Sequence, residues 1–308
     1  MLPSDTYSQP NAADPVLDER TVLDIVRRHG VRCAAVTGID ETGGEARVYI
    51  IDDNLVLKVQ RPPQLRPRTS LAKEAFFLNQ LAAYPDIVAP HVLGYGRHDN
   101  IEDLVMTRMP GVPALAVALT EKQRTHVLHQ LGRTMRRLHA LPQAPFSGSA
   151  LFPGSRTRAE FVARARENLA HAVQVIGATP DLWQLDMAPA DLASRVLAAL
   201  PATVDLVALH SNPGPVHTFV QPDTLEFVGL IDFGDAYISH PALDWRWPTH
   251  ADRVALLHGY GDETPVTDEF MATWRAALVL SDMLALATRP ETRPQALERL
   301  RDLLMTFM

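Results

Sequence analysis

The chain has 308 residues, 46% of them hydrophobic and 21% charged, with a formal net charge of -7. That length exceeds one ordinary core and fits two lobes, and the composition is globular. The acidic balance argues against a non-specific grip on nucleic acid or an anionic membrane, and it is compatible with a cationic substrate.

A single cysteine, Cys33, excludes a disulfide framework and a cysteine-rich zinc site. Its apolar neighbours Ala34, Ala35 and Val36 place it as a buried structural thiol. The opening MLPSDTYSQPNAADP has no basic flank followed by an apolar core, so it does not read as a signal peptide. No apolar run approaches the roughly 18 residues of a membrane span. The expected compartment is the cytoplasm.

Residues 1–15 read as a flexible tail. Val16, Val22, Leu23, Ile25 and Val26 predict a short helix that Gly30 ends. Two β-rich runs follow, Ala46 to Asp52 and Asn54 to Gln60, joined by a tight turn at Asp52-Asp53-Asn54. Arg61 to Arg68 is a proline-broken loop, Thr69 to Ala83 is helical, and Leu104 to Met109 is a strand closed by Pro110-Gly111. Thereafter the character turns helical. Thr120 opens a capping box with Gln123, and Val127, Leu131, Met135 and Leu138 carry that helix to His139. Helices are predicted over 159–176, 190–200, 251–258, 267–287 and 293–307, with one β-patch inserted from Val204 to Ile231.

Lys58 lies within an apolar strand. On an edge strand it would simply point to water. It gains another meaning if Glu74, on the next helix, pairs with it and orients the ammonium toward phosphates. Thr42-Gly43-Gly44 is a turn whose backbone can approach a nucleotide, or an ordinary hairpin turn. The polar loop His210-Ser211-Asn212-Pro213-Gly214-Pro215-Val216-His217 precedes a second strand and then Ile231-Asp232-Phe233-Gly234-Asp235. An Asp that ends an apolar strand presents one carboxylate to a metal. The order of lysine strand, carboxylate helix, connecting strand, helical block, histidine loop and Asp-Phe-Gly is the order of a kinase site. His126 and His129 share a helix without a third ligand. Trp183, Trp245 and Trp247 suit either a substrate pocket or a core. Asp181, Asp186, Asp191, Asp252 and Asp262 suit either an acidic pocket or helix caps.

These residues, from about Val31 to the last helices, resemble the aminoglycoside phosphotransferase family, small-molecule kinases distantly related to protein kinases. By that resemblance Lys58 and Glu74 are the nucleotide lysine and its partner. Leu104 to Gly111, with Thr107 and Met109, is similar to the adenine hinge, whereas Gly43 and Gly44 are nucleotide-contact candidates from their turn alone. Asp232 is the metal ligand, with Pro241-Ala242-Leu243-Asp244 beyond it. The family reads His-Gly-Asp, four residues, then Asn. Here Asn212 stands in the Asp position and His217 in the Asn position. An amide cannot accept the substrate proton as a carboxylate does, but it can align the hydroxyl. His217 is a poor ligand for Mg²⁺ and a reasonable one for Mn²⁺ or Zn²⁺, or it contacts phosphate directly.

The resemblance implies an α+β, protein-kinase-like two-lobed fold. A β-rich N-lobe would span 16–110 and a larger helical C-lobe 111–308. The implied activity is ATP-dependent phosphoryl transfer, with Mg²⁺ or Mn²⁺, to a hydroxyl of a small molecule. The alternative is a nucleotide-binding pseudokinase acting as sensor or partner. No nucleic acid or membrane partner is expected, and the chain is expected to be a monomer or homodimer.

Overall fold

The computed structural model describes residues 16–41, 46–61, 71–98, 101–200, 205–245, 247 and 249–307. The expected tail at 1–15, the Gly43-Gly44 turn and most of the loop from Arg61 to Arg68 lie outside the described residues. Two compact units are present. One takes in the chain to Leu138, His210–Ala236 and residues 246–259, the other His139–Leu209, Tyr237–Trp245 and residues 260–308.

In the first unit, β2 (Ala46–Ile51) turns into β3 (Leu55–Gln60) through Asp52 and Asp53, both left-handed at φ 48° and 61°. Short polar side chains tolerate that backbone better than branched ones, which is why two aspartates mark this turn. The strands belong to a five-stranded antiparallel sheet ordered β1-β2-β3-β5-β4, with β1 at Val36–Asp40, β4 at Val92–His98 and β5 at Ile101–Thr107. The edge strands β1 and β4 are additions to the sequence reading. Their residues alternate between half-buried and exposed and include glycines, so no apolar row marks them.

Strand alternation gives the sheet two distinct faces. Leu55, Leu57, Val59, Tyr49, Ile51 and Val105 pack against Val22, Leu23, Ile25 and Val26 of helix α1 (Glu19–Arg28). Each such side chain contributes about 1.5–3 kcal/mol when fully buried. Asp18 caps α1 by accepting from the Thr21 N–H at 2.9 Å. Lys58 therefore faces the opposite side, where helix α2 (Leu71–Leu81) lies. Cys33 is half-buried against the α1 core, and burial pushes its thiol up.

The capping box that opens α3 (Glu121–His139) forms as expected. The Gln123 side chain accepts from the Thr120 N–H at 3.0 Å, and the Thr120 hydroxyl accepts from the Gln123 N–H at 3.4 Å. The single inserted β-patch, however, is two separate ladders. β8 (Thr218–Val220) and β9 (Phe227–Leu230) join β6 (Val112–Pro113) in the first unit. β7 (Val207–Leu209) pairs instead with β10 (Tyr237–Ser239) in the second. Strands of three residues carry no period to follow, so only long-range pairing separates them.

The second unit is helical. Helices α5 (Arg158–Ala178), α6 (Pro189–Ala198) and α9 (Arg293–Phe307) pack against α8 (Asp268–Thr288). Phe161, Ala165, Leu169, Ala172 and Ile176 form the buried stripe of α5 at helical spacing. Helix α8 corrects one expectation. It is 21 residues long, enough by length and composition to cross a membrane. Arg275 and Asp282 interrupt its apolar run, which hid this in the sequence. In the fold most of this apolar stretch is buried, and Arg299 pairs with Asp282 at 2.5 Å, as suits the central helix of a packed unit.

Candidate active site

Lys58 is not an edge lysine. It lies on β3, the middle strand of the sheet, with a side chain only 13% exposed. Its Nζ donates to both carboxylate oxygens of Glu74 at 2.8 Å and to Asp232 Oδ1 at 3.1 Å. One ammonium thus joins a strand, a helix and the segment after β9. Burial works against charge on Lys58, but the Asp232 and Glu74 carboxylates outweigh it and hold the ammonium above the ordinary lysine range. Burial is the largest influence on Glu74 and raises its carboxyl, with Lys58 offsetting part of the effect. Burial opposes charge on Asp232 too, yet Lys58 and His217 hold it well below the usual carboxylate range. The two carboxylates around one cation are therefore pushed in opposite directions.

Asp232 takes a left-handed backbone, φ 68° and ψ 69°, between β9 and the turn Phe233–Asp235. Phe233 is fully buried. Its ring meets Phe77 of α2 at 4.9 Å and His210 at 4.5 Å between centroids. This aromatic contact ties the Glu74 helix to the Asp232 turn, a role the sequence signals only through the Asp-Phe-Gly string.

The loop from His210 to His217 is held by hydrogen bonds that the sequence does not show. Buried His210 donates from Nε2 to the Ile231 carbonyl at 3.0 Å and accepts at Nδ1 from the Asn212 N–H at 3.3 Å. His217 donates from Nδ1 to the Asn212 carbonyl at 2.8 Å, leaving Nε2 at 3.3 Å from Asp232 Oδ2. The Pro213 carbonyl accepts from Trp247 Nε1 at 2.8 Å and from the Thr218 hydroxyl at 3.3 Å. Ser211 sits at φ 79°, where the resembled family carries glycine. The half-buried Asn212 side chain makes no hydrogen bond among the described residues.

A carboxylate oxygen and an imidazole nitrogen 3.3 Å apart are spaced for adjacent places in one coordination shell. The donor pair Asp232 and His217 therefore fits a divalent cation. At the predicted hinge, the Thr107 N–H is committed to the His91 carbonyl at 2.9 Å and the Arg108 N–H to the Asn54 carbonyl at 2.8 Å. The Met109 backbone makes no such bond among the described residues. Gly111 then turns at φ 87°, and a Cβ there would lie 2.4 Å from the Val220 carbonyl oxygen, so only glycine fits.

The remaining candidates are structural or stand apart. Trp247 is buried beneath the loop, with the Arg124 guanidinium 5.5 Å over its ring. Buried Asp252 is clamped by Arg124 through two 2.5 Å bonds, whereas Asp181, Asp186, Asp191 and Asp262 are exposed. Trp245 packs in the second unit against Tyr260 and Phe270, and Trp183 donates to the Met187 carbonyl at 2.7 Å. Asp186 lines a cavity of about 420 Å³ with Gln184, Met187, Arg301 and Asp302. His126 is exposed and His129 half-buried.

The family model described as the phosphotransferase enzyme family matches residues 40–272. An aminoglycoside 3'-phosphotransferase of Streptomyces ribosidificus is 29% identical over 225 residues, 64% of this chain and 78% of the relative. The apoenzyme structure of macrolide 2'-phosphotransferase from Brachybacterium faecium aligns with TM-score 0.60 at 23% identity, over 91% of this chain and 96% of that one. The GDP complex of a mutant aminoglycoside 2'-phosphotransferase-IIIa aligns with TM-score 0.65 at 17% identity, over 93% and 97%. These likenesses establish the α+β kinase-like fold that the sequence implied. A match over most of the chain, on this fold and around this lysine–carboxylate site, places the protein in the phosphotransferase enzyme family.

Proposed function

We propose that this phosphotransferase moves the γ-phosphoryl group of ATP to a hydroxyl of a small molecule, with a divalent cation. The observation that carries the reading is the Lys58 ammonium held between Glu74 and Asp232. Glu74 fixes the direction of the ammonium, and Lys58 offers it to phosphate oxygens. Asp232 and His217 hold the cation, and when bound the cation neutralises charge on those oxygens. Met109 offers backbone groups to the adenine, with Thr107 closing the strand behind it. Gly43 and Gly44 remain candidates for contact with the nucleotide. Asn212 aligns the acceptor hydroxyl through its side-chain oxygen rather than taking its proton. Substrates of the aminoglycoside class, polyhydroxylated and cationic, suit the acidic chain and the related enzyme. We place the protein in the cytoplasm as a monomer or homodimer.

The test is steady-state ADP formation with Mg-ATP and Mn-ATP over aminoglycosides, macrolides, sugars and amino alcohols. Acceptor-dependent turnover that Lys58→Ala and Asp232→Ala abolish is the expected result. Tight nucleotide binding with no turnover on any acceptor would instead establish the pseudokinase alternative, whose basis is the amide at Asn212.

A further inference from the structure

On the α1 side of the five-stranded sheet, away from Lys58, three metal-ligating side chains converge. Asp103 on β5 is fully buried. His29, the residue that ends α1, places Nε2 2.5 Å from Asp103 Oδ1. His98 on β4 places Nδ1 3.2 Å from Asp103 Oδ2. All three ligand atoms lie within 4.8 Å of one another, and the two rings meet edge to face at 5.8 Å.

The strand beneath them leaves room for this group. Gly96 pairs across the ladder with Asp103, and Gly94 and Gly96 share the face that carries His98. A Cβ on Gly94 would lie 2.3 Å from the His29 ring, and one on Gly96 2.9 Å from the ring of His98. The histidine rings therefore occupy space that two glycines vacate. The cluster is closed toward the sheet and open at His98, whose side chain is 35% exposed.

We propose that His29, His98 and Asp103 form a binding site for one divalent transition metal ion, with Zn²⁺ the best match. Two imidazoles and one carboxylate are the donors this ion takes, and a fourth tetrahedral place remains for water or an exogenous ligand. Tetrahedral ligands at about 2.0 Å stand roughly 3.3 Å apart, close to the His98–Asp103 spacing. His29 and Asp103 are closer because a hydrogen bond joins them, a contact that a bound ion would replace. The ion would join the end of α1 to β4 and β5 by bonds far stronger than the present pair, so occupancy stabilises this side of the sheet. Mg²⁺, which prefers oxygen, is excluded by the two nitrogens.

The experiment must separate this site from the cation at Asp232. Full-length Asp232→Asn protein, freed of metal by chelation, is titrated with Zn²⁺ by calorimetry and by thermal melting, and bound zinc is counted after dialysis. One equivalent should bind and raise the melting temperature. Adding His98→Gln, at a partly exposed position that tolerates change, should weaken binding by about 100-fold or more and remove the thermal gain. Adding His29→Gln as well should leave no equivalent bound, with circular dichroism confirming the fold. Co²⁺ in place of Zn²⁺ should show the intense visible absorption of a low-coordinate nitrogen-ligated site. Failure of the Asp232→Asn protein to take up zinc would overturn the proposal and leave an ion-paired triad. Uptake unchanged by the two glutamine substitutions would overturn it equally.

Discussion

His217 donates from Nδ1 to the Asn212 carbonyl at 2.8 Å, and this bond turns the other ring nitrogen, Nε2, toward Asp232 at 3.3 Å. Two residues at the unusual positions of the loop are thereby linked, and the backbone of one sets the tautomer of the other. If Nε2 ligates the cation, Mn²⁺ supports turnover better than Mg²⁺ in the wild type. His217→Asn supplies a harder amide oxygen and should move the preference back to Mg²⁺. The ratio of kcat/KM with the two metals, in both proteins, is the measurement. An unchanged ratio rejects the ligand role.

Asn212 carries the second prediction. Its side chain is free of hydrogen bonds among the described residues, so an isosteric carboxylate disturbs little. Asn212→Asp should raise kcat on the true acceptor by about 10²-fold through restored proton acceptance. Nucleotide affinity, measured alongside, should fall only slightly. A drop in kcat would show that the loop is built around the amide.

Removing Lys58 should separate stability from binding. Glu74 is 1% exposed, and Lys58→Met leaves it without its partner at a cost of about 3 kcal/mol or more. Burial already raises the Glu74 carboxyl, and losing Lys58 raises it further. A carboxyl with a folded value above its unfolded one loses stability as pH rises between the two. The deficit of Lys58→Met in urea denaturation should thus be larger at about pH 8 than at about pH 5. Adding Glu74→Gln should recover stability without recovering nucleotide affinity. A pH-independent deficit would contradict this account.

His240 predicts acid sensitivity in the second unit. The ring is 7% exposed, packs near Phe161 and Phe270, and accepts from the Ala242 N–H at 3.1 Å. Burial, with His139 adding to it, pushes its value down from 6.5 to about 4. The unfolded chain binds the proton first, so stability is full above the unfolded value and falls as pH drops toward the folded one. The loss over that window is roughly 3 kcal/mol. His240→Asn keeps an acceptor for the Ala242 N–H but does not titrate. Its loss between about pH 7 and about pH 4 should be smaller than the wild type's by that amount. Equal losses in the two proteins would remove His240 from the acid response.

Local chemistry was enough for many elements. The β-rich run around Lys58, the aspartates at the β2–β3 turn and the Thr120–Gln123 box each act within a few residues, and each formed as the sequence indicated. The order of Lys58, Glu74 and Asp232 along the chain likewise pointed to one site. What no local pattern contains is pairing across distance. Lys58 meets Asp232 across 174 positions, and His29 meets Asp103 across 74. The edge strands β1 and β4 have too few buried apolar residues to show a period, and β7 and β10 are too short to show one. Their partners are chosen by which backbone groups and side chains the folded core brings together. The sequence by itself determined the turns and caps, because those depend on a residue and its near neighbours. Only the tertiary structure decided that His217 faces Asp232, that Trp247 holds the Pro213 carbonyl, and that two histidines close on a buried aspartate. Those contacts depend on desolvation and hydrogen-bond satisfaction, which exist only once the chain has folded.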